Sequence, residues 1–206
     1  MTNLEIPLPV RFYFDPVCPW TWATSRWFVD AADRRDITIH WRNLSLEALH
    51  RGDRPFRARP GASASAHRVI AALVADERED LVGAFYLQWG RGIFHDGVEP
   101  TPQLVHEIAD AIGAGGWTPA ADEPAWDDAV GASTDHALEI VGTEVGSPVL
   151  SFGDPEIGIF GPIVAAPPTG DEADCLFDCV VGAARVGDFY ELKRGRTNGL
   201  SFGPRP

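Results

Sequence analysis

Between residues 10 and 15 apolar and polar side chains alternate, with Val10, Phe12 and Phe14 on one face and Arg11, Tyr13 and Asp15 on the other. A period of two predicts a strand. Over 19–33 the period lengthens: Trp20, Ala23, Trp27 and Ala31 recur at helical spacing, and Pro19 stands at the first helical position, where its missing N–H would be unpaired anyway. Residues 37–42 return to alternation, Ile37, Ile39 and Trp41 against Thr38, His40 and Arg42. Strand, helix and strand in this order predict a βαβ unit, two parallel strands joined by a right-handed crossover.

The middle of the chain reads differently. Residues 52–65, rich in Arg, Pro, Gly and Ala, predict a loop. A single helix is expected over 66–90, then a glycine-containing turn over 90–97. A second helix follows over 102–112, with Thr101 as its N-cap and Pro102 at its first position, and a third over 124–141. Gly146-Ser147-Pro148 then opens a short strand, 149–152, with 157–160 as its hairpin partner. A last helix is expected over 171–185, and 195–206 is a tail with little periodicity. The strands fall into two clusters around a mostly helical block. The economical arrangement is one sheet built from both ends, with 1–52 and 146–206 forming one domain and 53–145 a helical insertion.

Charge narrows the partners. The 206 residues carry a formal net charge of −13, which argues against nucleic acid, because phosphate binding needs clustered Lys and Arg. No apolar run approaches the roughly 20 residues of a spanning helix, and residues 1–9 have neither the basic start nor the apolar centre of a secretory signal. No membrane association and a cytoplasmic location are therefore expected. The six histidines show no ligand spacing with one another or with the cysteines, and no Gly-x-Gly-x-x-Gly or Walker loop is present. Neither a metal nor a nucleotide cofactor is expected.

Three cysteines remain: Cys18, Cys175 and Cys179. So few, and an odd number, do not make a disulfide framework. Cys18 sits between the first strand and the first helix, at the N-cap. There the free backbone N–H groups and the helix dipole favour negative charge, so a reactive thiol is expected rather than an inert one. Cys175 and Cys179 are four apart on the last predicted helix and share a face. They either form an unusual redox pair or pack as small apolar residues; the second reading is preferred, since free cysteines are among the most buried side chains.

The segment Asp15-Pro16-Val17-Cys18-Pro19-Trp20-Thr21-Trp22 resembles the active-site start of DsbA-like thioredoxin-fold oxidoreductases, and is most similar to the mycothiol-dependent nitroreductase family of actinobacteria. The resemblance continues through Ser25-Arg26-Trp27, Asn43-Leu44-Ser45-Leu46, Val145-Gly146-Ser147-Pro148-Val149, Phe160-Gly161-Pro162 and Phe189-Tyr190-Glu191-Leu192-Lys193-Arg194. It implies an α/β thioredoxin-like fold, a central mixed sheet flanked by helices, with the helical insertion between the βαβ half and a C-terminal ββα half. It implies a cis proline at Pro148, facing Cys18 and presenting the backbone of Ser147 to a thiol ligand. It implies mycothiol as the low-molecular-weight thiol, working beside a small-molecule substrate. Pro19 and Trp20 would border the ligand, and of Trp20 and Trp22 one would be core and the other would cover the thiol. His95 matches a histidine of the family's insertion and would line the cleft, as a proton donor. His50 stands where the family often has asparagine.

One departure matters. The family pattern has a second cysteine where this chain has Thr21. The second thiol resolves a mixed disulfide, and Thr21 cannot; its hydroxyl is expected instead to hydrogen-bond the Cys18 thiolate. A monothiol oxidoreductase is the leading expectation, with Cys18 and Thr21 as its catalytic pair. A thiol transferase or isomerase resembling the kappa-class glutathione transferases and hydroxychromene-carboxylate isomerases is the alternative. A binding protein on a redox scaffold is the third reading.

Overall fold

A computed structural model describes residues 6–52 and 54–206. The first five residues of the N-terminal segment, and position 53, where the insertion was expected to begin, lie outside the described residues. Four strands form one mixed sheet in the order β2-β1-β3-β4, with β1 over Val10–Phe14, β2 over Ile39–Asn43, β3 over Val149–Phe152 and β4 over Ile157–Phe160. β1 pairs parallel with β2 and antiparallel with β3, and β3 with β4 antiparallel. The two halves of the chain therefore meet on the two edges of β1, as the strand pattern predicted. β2 starts two residues later than expected and ends one later.

The alternation along β1 sorts its side chains onto two covered faces. Val10, Phe12 and Phe14 enter the main core with Phe28, Trp41 and Tyr86. Tyr13 enters a smaller cluster with Leu44, Ala137 and Val149 on the opposite face, below α6 (Asp127–Val141). Helix α1 (Pro19–Asp33) buries Trp22, Ala23, Trp27 and Phe28. It is held to α7 (Gly170–Ala184) by stacking of Phe28 on Phe177 and by the Trp27 indole donating to the Ala173 carbonyl at 3.0 Å. Each such large apolar side chain, taken from water, contributes about 1.5–3 kcal/mol.

Between β2 and β3 the chain is helical, but not as the pattern predicted. After a short α2 (Leu46–Leu49), α3 spans Ala62–Ala75 and α4 spans Glu79–Gly90. The single helix expected over 66–90 is thus two, and it begins inside the expected loop. The break is at Asp76-Glu77-Arg78, where Glu77 takes a positive φ of 57° and the Arg78 N–H returns to the Leu73 carbonyl at 2.8 Å. No glycine or proline marks this stop, so local sequence does not reveal it. The expected turn after Gly90 is instead a π-helix, Arg91–His95, continuing directly from α4. Helix α5 (Pro102–Ala111) starts as predicted, with the Thr101 hydroxyl accepting from the Leu104 N–H at 3.1 Å. The 3-10 segments Gly115–Asp122 and Pro124–Trp126 precede α6, the first unpredicted and the second occupying the start of the expected helix.

Gly90 shows why the widened turn matters. A Cβ built there would collide with the Trp22 indole, so the absence of a side chain lets Trp22 lie against the junction of α4 and the π-helix. Gly90→Ala is expected to cost about 1–3 kcal/mol through overpacking, read as a lower thermal midpoint. A neutral substitution would mean that Trp22 can move aside.

Candidate active site

Cys18 occupies the N-cap of α1 in extended conformation, φ −80° and ψ 114°, with Pro19 at the first position. Its N–H closes a turn onto the Asp15 carbonyl at 3.1 Å, and its carbonyl accepts from Trp22 N–H at 3.0 Å. The thiol is free and partly exposed. Trp89 fixes the preceding loop by donating its indole N–H to the Pro16 carbonyl at 3.0 Å.

Asp15 holds this turn from below. Its buried carboxylate accepts from Val17 N–H at 3.0 Å and from Leu46 N–H at 2.9 Å, and lies 3.6 Å from His67 Nε2. His67 is oriented by Asn43, whose Oδ1 is 2.7 Å from His67 Nδ1 and whose amide donates to the His67 carbonyl. Burial alone would push the Asp15 carboxyl up. His67 and the two backbone N–H groups outweigh it and leave the carboxyl below its ordinary value. Asp15 appears in the sequence only as the start of an Asp-Pro dipeptide after a strand, a turn signal; its contact with His67 has no local signature.

Thr21, three residues after Cys18 in the first turn of α1, is fully buried. Among the described residues its hydroxyl makes no hydrogen bond with the Cys18 thiol, the contact expected from the sequence. It meets Ser147 Oγ at 2.9 Å, and the same Ser147 oxygen accepts from Asp15 N–H at 2.9 Å. A serine from the far end of the chain thus clasps both sides of the cysteine turn. The Ser147–Pro148 bond is cis, and among the described residues the Ser147 backbone N–H and C=O make no hydrogen bond. The side chain of Ser147 is a positioning group that the sequence reading, concerned with its backbone, did not anticipate.

Of the two tryptophans, Trp22 is core and Trp20 is half-buried. The Arg196 guanidinium stands 4.7 Å above the Trp20 ring. Trp22 donates its indole N–H to His95 Nε2 at 3.2 Å. That bond makes Nε2 an acceptor and places the proton of neutral His95 on Nδ1. Burial, with the positive charges of Arg205, Arg26 and Arg91, outweighs Asp96 and lowers the His95 pKa. His95 is therefore neutral at pH 7. The tail folds over it: Phe202 packs on Phe94 and His95 at 5.2 and 5.7 Å, and Arg205 pairs with Asp96 at 2.8 and 2.9 Å. The lack of periodicity in 195–206 concealed this role.

Cys175 and Cys179 correct the preferred sequence reading. Both are exposed on α7, not buried among apolar neighbours. The last helix is amphipathic, and it is Ala173, Phe177, Val180 and Val181 that turn to the core. Burial and the neighbouring Cys175 push the Cys179 thiol up. His50, at the end of α2, is exposed. Among the described residues no three His, Cys, Asp or Glu side chains converge as a metal site, and no helix is long and apolar enough to cross a membrane.

Known proteins share this fold. A probable DsbA oxidoreductase, SCO1869 from Streptomyces coelicolor, superposes with a TM-score of 0.57 at 18% identity, covering 91% of this chain and 94% of that one. The cytosolic disulfide reductase DsbM from Pseudomonas aeruginosa, solved with GSH, gives 0.55 at 13% identity, over 84% and 98%. These likenesses establish a DsbA-like thioredoxin fold. In sequence, the uncharacterized protein Rv2286c of Mycobacterium tuberculosis is 31% identical over 193 residues, 91% of this chain and 82% of its own length. The family described as Rv2466c-like, mycothiol-dependent nitroreductase Rv2466c, matches residues 17–194, a span that opens beside Cys18 and carries Thr21, His95, Ser147 and Pro148 with it. By that match over most of its length, the chain belongs to the Rv2466c-like family of mycothiol-dependent nitroreductases.

Proposed function

We propose that the chain is a cytosolic thiol-dependent oxidoreductase in which Cys18 works alone, with mycothiol supplying the second sulfur. The observation that carries this reading is the burial of Thr21 against Ser147, with the other two cysteines exposed on α7. Thr21 carries no thiol that could resolve a disulfide, and both remaining cysteines are exposed on α7.

The steps are those of thiol–disulfide exchange. The Cys18 thiolate attacks one sulfur of a small disulfide, forming a bond from Cys18 to that sulfur and expelling the other half as a thiolate, which takes up a proton. A mycothiol thiolate then attacks the sulfur bound to Cys18. A new small disulfide leaves and the Cys18 thiolate returns. Pro19 leaves the first turn of α1 open to the sulfur, Trp20 borders the ligand, and the backbone N–H and C=O of Ser147, presented beside Pro148, pair with an amide of the ligand. Thr21 acts through Ser147, holding that presenter and the cysteine turn in register. The neutral His95 lines the cleft and keeps Trp22 in place.

Intact mass tests this. After incubation with mycothiol disulfide, a Cys175→Ser/Cys179→Ser variant is expected to gain one mycothiol unit, and a further Cys18→Ser change is expected to abolish both the adduct and turnover. If Cys18→Ser kept full thiol-dependent activity, the nucleophile assignment would be wrong and a transferase activating a bound thiol would replace it. Absence of any adduct or thiol binding would leave a binding scaffold.

A further inference from the structure

Arg26 lies eight residues after Cys18, on the stripe of α1 that runs from Cys18 through Trp22. Its guanidinium carbon is 4.1 Å from the centre of the Trp22 ring and 5.7 Å from that of Tyr86. Its Nε donates to Ser25 Oγ at 3.2 Å, while both terminal nitrogens make no hydrogen bond among the described residues. Most of the other arginines are paired with carboxylates, among them Arg11, Arg35, Arg51, Arg68 and Arg205. Among the described residues Arg26 has none, in a chain with 30 acidic and 17 basic residues.

The groups around Arg26 do not balance its charge. Tyr86 is buried with its hydroxyl near Ser25 but without a well-formed hydrogen bond, and burial pushes that phenol up, so it stays protonated. Arg91 adds a second positive charge, and His95 is neutral. Burial brings the Arg26 guanidinium down to about 10, which still leaves it charged at neutral pH. A desolvated charge without a counter-ion is costly, and the Trp22 face offsets only part of that, about 0.5–2 kcal/mol. What is left is a planar fork of free N–H donors on an aromatic platform, the geometry that matches a carboxylate in two parallel bonds.

Its position suits a ligand of Cys18. Helical side chains lean toward the N-terminus, so the guanidinium lies over Trp22, about one turn, or ~6 Å, from the level of Cys18. We propose that Arg26 is an anion subsite that binds a carboxylate of the small disulfide attacked by Cys18. This rests on the monothiol reading above. Mycothiol, a cysteinyl amide, carries no carboxylate, so the group recognised belongs to the substrate: a carboxylate-bearing low-molecular-weight disulfide.

Two disulfide probes test it, each giving Cys18 a mixed disulfide and releasing one aryl thiolate. Dithiobis(nitrobenzoate) carries a carboxylate on each ring, and dithiodipyridine carries none. Both are applied to the Cys175→Ser/Cys179→Ser protein, so that only Cys18 reacts. Arg26→Gln is expected to slow the anionic probe roughly tenfold while leaving the neutral one within about twofold, as loss of a charged bidentate contact requires. Arg26→Lys, which keeps the charge without the fork, is expected to fall between. The preference of the unaltered site for the anionic probe is expected to shrink with added potassium chloride. Equal slowing of both probes would make Arg26 a support for Trp22 and overturn the subsite, as would no change in either. If Cys18 reacted with neither probe in the parent protein, the nucleophile reading itself would fail, an outcome distinct from loss of the preference alone.

Discussion

Asp15→Ala is expected to destabilise the chain by about 3–5 kcal/mol and to slow modification of Cys18 at the same time. The carboxylate, itself out of water, satisfies the part-buried N–H groups of Val17 and Leu46 and faces the buried His67. Removing it leaves two part-buried donors unpaired, at about 1–3 kcal/mol each, and strips the buried His67 ring of the carboxylate facing it. Since the Asp15 carboxylate also anchors the turn at Val17 N–H, the residue before Cys18, the thiol loses its fixed place over the start of α1. Chemical denaturation measures the first effect and the rate of alkylation the second. Asp15→Asn keeps the shape and separates charge from packing. Because the folded-state carboxyl is held below its ordinary value, its contribution is complete above the unfolded carboxylate pKa. It is lost as pH falls through the folded value, so the Asn variant is expected to lose less stability on acidification than the parent. Equal acid sensitivity would remove Asp15 from the acid-labile groups.

A second large effect is expected at Asp127→Ala. Asp127 begins α6, nearly inaccessible, and takes Arg68 of α3 in a two-pronged pair at 2.8 and 3.2 Å while accepting the Ala58 N–H at 3.0 Å. Arg68 also reaches the Ala121 carbonyl at 3.3 Å. One pair therefore gathers α3, α6 and the segment between them. Deleting the carboxylate leaves a buried guanidinium uncompensated, at about 3–5 kcal/mol, or roughly 6–20 °C in midpoint for a chain this size. Replacing both partners by apolar residues, Arg68→Met with Asp127→Leu, is expected to recover most of the loss, because no charge is then stranded. If the double variant were as unstable as the single one, the pair would be acting through geometry that no apolar packing reproduces.

How far these features could be read in advance depends on the range of the interaction behind each. The period-two pattern of Val10, Phe12 and Phe14 and the Gly-Ser-Pro opening of β3 are local and survived intact, as did the proline-marked start of α1. The π-turn after Gly90 lies against Trp22, and the stop at Glu77 stands beside Trp117, which donates to Asp76 and lies under Arg78; no nearby residue announces either. The same division runs through the site. Cys18 and Pro148 stand in recognisable segments, but the clasp of Ser147 on Thr21 and Asp15 joins residues 126 and 132 apart. Arg26 lay inside a resembling segment, and only the missing carboxylate around it gives it a role. The exposure of Cys175 and Cys179 followed from the phase of α7, where Phe177 and Val181 claim the inner face.

The clasp has a kinetic side. Closing a loop of that length is slow compared with forming α1 or the β1–β2 pair. A folding or newly made chain therefore holds a helix-capping thiol long before Ser147 arrives to fix it, and the arrival coincides with β3 docking on the free edge of β1. The rate at which Cys18 acquires its final reactivity is thus a clock for closure of the sheet, and a thiol probe added during refolding would time that step without any other label.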